Sequence, residues 1–181
     1  MRPLTEEESK KLFEKLSQYI GANTTHLLDR KGDEEHVFRL HKGRIWYMPL
    51  RLTKLASCVA KSNLMGIGVL FAKLTHSGSI RIQVTALEFI AQYSLFKIWI
   101  KPNQEQKFLY GGNVTRAGLG RITESTPKYQ KVTAFSMGDI PLGFGVAAQS
   151  TLECRKCEMN AQVLFHEADV GEYLRNESKM T

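Results

Sequence analysis

Glycines and prolines break the second half of the chain into short apolar segments, and this pattern constrains the fold more than any other feature. After Pro102, residues 107–110, 131–137, 142–148 and 161–166 have the length and composition of short strands. Short helical pieces are predicted at 114–117 and 170–175. Short strands at this spacing are typical of a small barrel. We therefore predict a barrel-like C-terminal domain over residues 94–181.

The first 93 residues show a different pattern, in which helical and strand periodicities alternate. Thr5-Glu-Glu-Glu8 matches a capping box, and apolar residues follow at helical spacing as far as Ile20, with Gly21 as the stop. We next predict a polar loop over 29–35, a hairpin around 41–44, a helix over 50–60, and strands over 64–74 and 80–84. Thr85 is placed to cap a helix that runs through Tyr93. The fold class is therefore mixed α+β, with an N-terminal α/β domain, residues 1–93, packed on the C-terminal domain.

The chain has a net charge of +7, and its distribution along the sequence is uneven. Residues 36–87 contain no Asp or Glu but hold eight basic residues: Arg39, Lys42, Arg44, Arg51, Lys54, Lys61, Lys73 and Arg81. Strand alternation and the hairpin turn predict that Arg39, Lys42, Arg44 and Arg81 gather on one exposed face. Such a face suits nucleic acid. An acidic protein partner, or neutralisation by acids from elsewhere in the fold, also remains open.

No motif in the sequence indicates catalysis or a cofactor. Gly143–Ala148 fits the dinucleotide pattern G-x-G-x-x-A, but neither the required strand nor the required helix surrounds it. Cys154 and Cys157 have the spacing of half a zinc site, and too few further ligands are evident to complete it. His166-Glu-Ala-Asp169 lacks the second histidine of a zinc-protease motif. We expect no enzyme activity, no metal and no cofactor.

The sequence also lacks the features of a membrane or secreted protein. No run approaches the roughly 20 apolar residues of a membrane span. The first residues do not form a secretory signal. We therefore expect neither membrane association nor a disulfide framework.

Tyr110-Gly-Gly-Asn113 is a candidate phosphate-binding turn. Asn113 would cap a following helix, and free amides beside Gly111 would face the anion. Lys107, Arg116 and Arg121 are close in sequence. The alternative is an ordinary strand-to-helix turn.

Two segments resemble a PUA domain, a small pseudobarrel that binds structured RNA. These are Phe108-Leu-Tyr-Gly-Gly-Asn-Val-Thr-Arg-Ala-Gly118 and Met137-Gly-Asp-Ile-Pro-Leu-Gly-Phe-Gly-Val-Ala-Ala148. Over its whole length the chain resembles the eukaryotic Nip-seven family of 60S ribosome biogenesis factors. The residues that carry this wider resemblance are Met1–Glu8, Phe13-Glu-Lys, Tyr19-Ile-Gly21, Trp99-Ile-Lys-Pro102, Gly118–Glu124 and Ala168–Arg175.

The resemblance implies a C-terminal PUA domain and a non-catalytic role in pre-rRNA processing in the nucleus and nucleolus. It implies pre-rRNA as ligand and pre-60S assembly factors as partners, among them a nucleolar RNA methyltransferase of the Nop-two type. We expect a monomer outside the particle. The basic positions that match the family's RNA-contacting face are Arg155 and Lys156, which we predict to lie in an exposed turn.

Two other functions remain open: a protein adaptor with only incidental RNA contact, and an RNA-modifying enzyme. The charge distribution adds one expectation of its own. Residues 1–92 carry 14 basic and 9 acidic residues, whereas residues 93–181 carry 11 and 9. We therefore expect the N-terminal domain to share contact with rRNA or with an acidic partner.

Overall fold

A computed structural model describes residues 1–28 and 34–176. The chain divides into two compact units, Met1–Phe89 and a second that begins at Ile90. The expected boundary at 93/94 falls at the end of the helix Leu87–Tyr93, which spans the division. Most of the predicted polar loop at 29–35 lies outside the described residues.

The first unit is built on an antiparallel sheet whose strands lie side by side in chain order. Its strands are β1 (Arg2–Pro3), β2 (His36–His41), β3 (Arg44–Pro49), β4 (Val69–Leu74) and β5 (Ile80–Ile82). Its helices are α1 (Glu6–Ile20), α2 (Thr25–Leu28), α3 (Leu50–Ala56) and the first residues of α4 (Leu87–Tyr93). The predicted hairpin is confirmed, and Lys42 and Gly43 form its two-residue turn with positive φ.

Helix α1 begins as its sequence predicts. The Thr5 hydroxyl accepts from the Glu8 amide at 3.3 Å, and the Glu8 carboxylate accepts from the Thr5 amide at 2.9 Å. These two bonds satisfy amides that a helix start leaves without partners. The helix ends before Gly21, and Leu12, Leu16, Tyr19 and Ile20 of its apolar stripe are buried.

The two faces of the first sheet bury different side chains. One face carries an aromatic cluster in which Phe38, Tyr47 and Phe71 have ring centroids 5.0 to 5.6 Å apart. The other face carries a smaller cluster of Trp46, Met48 and Leu70. Because strand residues alternate between faces, the second cluster shares its face with Arg39 and Arg44.

Three predictions for the first unit are wrong in detail. The helix predicted over 50–60 ends at Ala56, and the strand predicted from residue 64 begins at Val69. Gly68 causes the later start, since its φ of +79° is incompatible with a regular strand. Thr85 does not cap a helix, because its hydroxyl donates to the Leu70 carbonyl and ties the following turn to β4.

The second unit is a six-stranded sheet whose described residues enclose an apolar core. In spatial order its strands are β7 (Val114–Thr115), β11 (Gln162–Asp169), β10 (Pro141–Ala147), β9 (Lys131–Ser136), β6 (Lys97–Ile100) and β8 (Leu119–Ile122). Strands β6 and β9 are parallel, whereas the other pairs among the described residues are antiparallel. Helices α5 (Pro102–Leu109), α6 (Thr151–Lys156) and α7 (Glu172–Arg175) complete the unit.

The segment before the glycine turn is a helix, not the predicted strand at 107–110. Pro102 occupies the first turn of α5, where a proline's missing N–H has no cost, and Phe108 is fully buried. The piece predicted as helical at 114–117 is instead β7 followed by a short 3-10 turn over Arg116–Gly118.

The glycines of Gly143–Ala148 serve strand packing. They lie in β10, whose register with β11 shifts between Phe144 and Gly145. A Cβ added at Gly145 would come within 2.6 Å of the Phe165 carbonyl oxygen. The pattern therefore reflects a close approach of two strands, and its glycines lie within β10 rather than at the strand-to-helix turn that a dinucleotide site requires.

In the described ranges, no helix is both long and apolar enough to cross a membrane.

Candidate nucleic-acid interface

Arg155 and Lys156 lie in the last turn of helix α6, not in a loop. Ser150 caps the helix by accepting from the Glu153 amide at 3.3 Å, and the Glu153 carboxylate accepts from the Ser150 amide at 2.8 Å. Cys154 points into the core, so Arg155 and Lys156 take the exposed side. Cations at this end of a helix also interact favourably with its partial negative charge.

The loop before β9 is fixed against the start of α6. The Thr126 amide donates to the Thr151 hydroxyl at 3.0 Å, and that hydroxyl donates to the Thr123 carbonyl at 2.8 Å. Lys128 and Tyr129 follow in this loop. The Tyr129 side chain is 66% exposed, and the Lys128 ammonium lies 5.4 Å from its ring centroid.

The charge of Lys128 acts on Glu153 of helix α6. Hydrogen bonds from Ser150 lower the pKa of Glu153, and the nearby Lys128 charge lowers it further. Sequence reasoning missed both Lys128 and Tyr129. The only signal in the sequence is the adjacent Lys-Tyr pair after a proline, and the threonine contacts to α6 cannot be read from the chain order.

Arg116 lies near the C-terminal end of α6. Its amide donates to the Ala161 carbonyl at 2.8 Å, and the Ala117 amide donates to Met159 at 3.0 Å, so the 3-10 turn lies against the segment that leaves α6. Burial raises the pKa of the Cys154 thiol, and the Arg116 charge acts in the opposite direction. We call Arg116, Lys128, Tyr129, Arg155 and Lys156 the α6 surface.

The glycine turn at 110–113 does not form the predicted helix start. It ends α5, and the amides of Gly111 and Gly112 donate to the carbonyls of Phe108 and Lys107 at 2.9 Å each. Asn113 precedes strand β7 and caps no helix. Its side chain accepts from the His166 amide at 2.9 Å and donates to Gln162 at 3.3 Å, which holds β11 in place.

The structural reason for a phosphate site at Gly111 and Asn113 is therefore wrong, because their polar groups hold the fold together. The stem of Lys107 lies against Gly112, and the side chain is exposed. Lys107 remains a candidate phosphate contact on charge alone.

Arg121 belongs to a third neighbourhood, on strand β8. Its guanidinium lies 4.4 Å from the Trp99 ring centroid, and its other near contact is Asp139 at 3.7 Å. The Trp99 indole N–H donates to Asp139 at 2.5 Å, and its ring stacks on Phe135 with centroids 5.9 Å apart. The Arg121 side chain is 59% exposed, so one face of a planar, oriented cation meets solvent.

The first unit brings its basic residues into a row. Arg44 lies opposite Lys73, and Lys73 lies opposite Arg81, so three neighbouring strands place these side chains side by side. Lys42 lies in the adjoining hairpin turn, and Arg39 is two pairs along β2 on the same face. Elsewhere in the acid-free stretch, Arg51 lies 3.8 Å from Glu34, which supplies a neighbouring acid.

Cys154 and Cys157 are free thiols within the described residues, and Cys154 is buried. The described residues hold no group of three or more His, Cys, Asp or Glu side chains placed to bind a metal ion.

Comparison with known proteins bears on both units. The model of the NIP7/UPF0113 pre-PUA domain matches residues 1–84, and that of the UPF0113 PUA domain matches residues 96–178. The 60S ribosome subunit biogenesis protein nip7 of Schizosaccharomyces pombe is 55% identical over 180 residues, which cover 99% of each chain. The chain belongs to the NIP7 family.

Vertebrate members of the NIP7 family align from end to end with this chain. The 60S ribosome subunit biogenesis protein NIP7 homolog of Tetraodon nigroviridis is 54% identical over 181 residues, with complete coverage of both chains. The expected family and the C-terminal PUA domain are therefore confirmed, as is the mixed α+β fold class.

Solved structures support the fold. A PUA domain protein of Aeropyrum pernix superposes with a TM-score of 0.63 at 14% identity, covering 99% of this chain and 90% of the other. A conserved PUA domain protein of Thermoplasma acidophilum gives a TM-score of 0.58 at 17% identity, covering 96% and 95%.

Proposed function

We propose that this chain is a non-catalytic assembly factor of the large ribosomal subunit that binds pre-rRNA through its PUA domain. The observation that carries the proposal is the α6 surface, in which Arg155 and Lys156 on a short capped helix are joined by Arg116, Lys128 and an exposed tyrosine beside that helix. The names of its relatives, which are 60S ribosome subunit biogenesis proteins, support the cellular role.

The α6 surface suits a single-stranded or looped RNA. Arg155, Lys156 and Arg116 would bind backbone phosphates, and Tyr129 would stack on an unpaired base. The Arg121 guanidinium, which lies over the Trp99 ring, would offer a second surface on which a base could stack. Lys107 would add a phosphate contact. The basic row of Arg44, Lys73 and Arg81 would add RNA contacts from the N-terminal domain.

The proposal extends to partners and location. We infer that the chain acts in the nucleolus, within the nucleus. There it would be a monomer that joins pre-60S particles. Its partners there would include a nucleolar RNA methyltransferase of the Nop-two type. The proposed role is to bind and position RNA, and any chemical modification would belong to the partner enzyme.

A second candidate function is that of a protein adaptor, and one observation favours it. Leu152 and Met159, on and just after α6, are 69% and 66% exposed. Apolar side chains beside Arg are typical of protein interfaces. In this case the α6 surface would contact another assembly factor and RNA contact would be secondary.

The test is RNA binding by the full chain, with Arg155→Glu and Lys156→Glu combined. We expect wild type to bind single-stranded RNA with a log–log salt slope of about −2 to −3.5, if three to five phosphates are neutralised. The double variant should lose about tenfold or more in affinity, because two attractive charges become repulsive.

The matched control is Lys10→Glu with Lys101→Glu, which changes the net charge equally at two exposed sites outside the α6 surface. Substitutions at such exposed positions cost within about 0.5 kcal/mol of stability, so both variants should stay folded. A salt-independent affinity, or equal losses in the two variants, would contradict the RNA proposal and favour the adaptor.

A further inference from the structure

The apolar stripe of helix α3 is covered by this chain along only part of its width. Apolar residues follow one another at helical spacing at Leu52, Leu55, Ala56 and Val59. Ala56 is buried, and Leu52 packs against the Trp46 cluster. Leu55 and Val59, by contrast, are 58% and 47% exposed. Exposed apolar side chains that are grouped in this way mark a surface for another molecule.

The turns that follow α3 keep these side chains together. The Cys58 amide donates to the Leu55 carbonyl at 3.1 Å, and the Val59 amide donates to the Ala56 carbonyl at 3.3 Å. The backbone therefore continues for about one more turn, on which residues three and four apart are neighbours. Cys58, which is also exposed, thus lies beside Leu55 and Val59.

The segment after these turns is tied to the first sheet. Leu64 is buried, and its carbonyl accepts from His41 Nε2 at 2.8 Å and from the Lys42 ammonium at 3.2 Å. The Leu64 amide donates to the Ala60 carbonyl at 3.1 Å. The chain is therefore anchored on both sides of the exposed turn, by Leu52 before it and by Leu64 after it.

Two exposed lysines, Lys54 and Lys61, flank the open part of the stripe. The ion pairs found among the described residues include neither of them. The acid that lies near α3 is Glu34, 3.8 Å from Arg51, and residues 36–87 contain no acid at all. We call the resulting apolar and basic surface the α3 face; its members are Lys54, Leu55, Cys58, Val59 and Lys61.

The combination of aliphatic and cationic side chains favours a protein ligand over a nucleic acid. A phosphate backbone would pair with the lysines but would offer no aliphatic surface to Leu55 and Val59. Aliphatic side chains of a protein would remove this surface from water, which is favourable. Carboxylates beside them would meet the lysines, which gives the apolar centre and the charged rim of a protein interface.

We infer that the α3 face binds an acidic segment of a protein partner, with aliphatic side chains on Leu55 and Val59 and carboxylates on Lys54 and Lys61. The inference goes beyond the proposed function, because it does not depend on RNA binding by the α6 surface. It assigns this part of the acid-free stretch to a protein.

Zero-length crosslinking tests the inference without changing the chain. The full chain is recovered from cells with its bound proteins and treated with a carbodiimide. This reagent joins a lysine amine to a carboxylate as an amide, and takes up the water that is lost to become a urea. We expect mass spectrometry to find Lys54 or Lys61 joined to an Asp or Glu of another protein, in a peptide that also carries aliphatic residues. Alkylation of Cys58, which the purified chain should show, should be lost in the same complexes.

Leu55→Ser with Val59→Ser keeps both lysines but removes the apolar contact, so this variant should lose the crosslinks. Leu95→Ser with Leu174→Ser, which changes two exposed leucines of the second unit, is the matched control and should retain them. All four positions are exposed, so both variants should stay folded, which circular dichroism checks. Wild-type complexes without a crosslink from Lys54 or Lys61 overturn the inference, as do crosslinks that survive in the Leu55/Val59 variant.

Other occupants of the α3 face give different results. A crosslink that reaches only carboxylates of this same chain, or an ultraviolet crosslink of residues 54–61 to RNA, overturns the inference. RNA affinity separates the inference from the proposed function, since Leu55→Ser with Val59→Ser should bind RNA as wild type does. If the purified chain binds RNA but the crosslinks are absent, the proposed function stands and the α3 face is overturned. If the crosslinks form but the purified chain binds no RNA, the reverse holds.

Discussion

Glu8 links the chain terminus, the start of α1 and the pH dependence of the fold. Hydrogen bonds from Arg2, then from the Thr5 amide, lower its pKa to about 2 from an ordinary value of 4.5. A carboxyl whose pKa is depressed in the folded state stabilises the fold above its unfolded pKa and loses that contribution as the pH falls. The stabilisation should therefore disappear between about pH 4.5 and 2.

Glu8→Gln tests this. We expect the free energy of unfolding to fall less steeply between about pH 4.5 and 2 in the variant than in wild type, since one titrating group is gone. Urea unfolding at a series of pH values measures the difference. Arg2→Met, which removes the first cause of the shift, should flatten the same interval in part. Superimposable pH profiles for wild type and Glu8→Gln would contradict the assignment.

Arg121 offers a residue-scale test of base stacking. Arg121→Lys keeps the positive charge but loses the plane that Trp99 supports. Base stacking contributes about 1–3 kcal/mol per base, so we expect the variant to bind RNA between about fivefold and about 150-fold more weakly. Arg121→Ala should be weaker again. Fluorescence titration measures the affinities. Equal values for wild type and Arg121→Lys would mean that Arg121 contributes only its charge and no stacking.

At the scale of elements, α6 and α1 begin with the same capping box, which provides a matched pair of variants. Ser150→Ala and Thr5→Ala each remove one cap and should each cost about 1 kcal/mol of stability. Ser150→Ala should also weaken RNA binding, because fraying of α6 releases Arg155 and Lys156 from their fixed positions. Thr5→Ala should not. Denaturation and RNA titration of both proteins check this, and equal RNA affinities would contradict it.

The elements that the sequence predicts well are those with a long periodic pattern or a defined turn. Helix α1 is 15 residues long and carries a full apolar stripe, so its cap, length and buried residues follow from the pattern. Helix α6 has only six residues, fewer than two turns, and its pattern is too short to distinguish from a loop. Residues 107–110 illustrate the same ambiguity, because a short apolar run fits a helix end as well as a strand.

The candidate site was predictable only in part, because distance along the sequence does not show which residues meet in space. The family resemblance alone predicts Arg155 and Lys156, and closeness in sequence alone groups Lys107, Arg116 and Arg121. The described contacts instead divide Arg116, Lys107 and Arg121 among three neighbourhoods. Lys128 and Tyr129 reach α6 through threonine hydrogen bonds that span 25 residues or more, a separation that no local pattern reveals.

At the scale of the whole molecule, the uneven charge predicts two contributions to RNA affinity. Arg39→Glu with Arg81→Glu changes the row on the first unit, and Arg155→Glu with Lys156→Glu changes the α6 surface. Each pair should make the salt slope shallower, and the four changes together should lower log affinity by about the sum of the two pairs, since sites with no shared partners add. Filter binding at several salt concentrations measures this. If the Arg39/Arg81 variant binds RNA with the same affinity and salt slope as wild type, the basic row is only a solvated surface.

The parallel pairing of β6 with β9 has a consequence for synthesis on the ribosome. The first sheet joins strands in the order in which they are translated, so each strand finds its neighbour as soon as it emerges. Strand β6 is the first of the second sheet to be made, yet it must wait for both β8 and β9, and β7 must wait for β11. Such non-local pairings close slowly. The nascent chain therefore completes the strands of its basic N-terminal unit while the PUA domain is still unfinished.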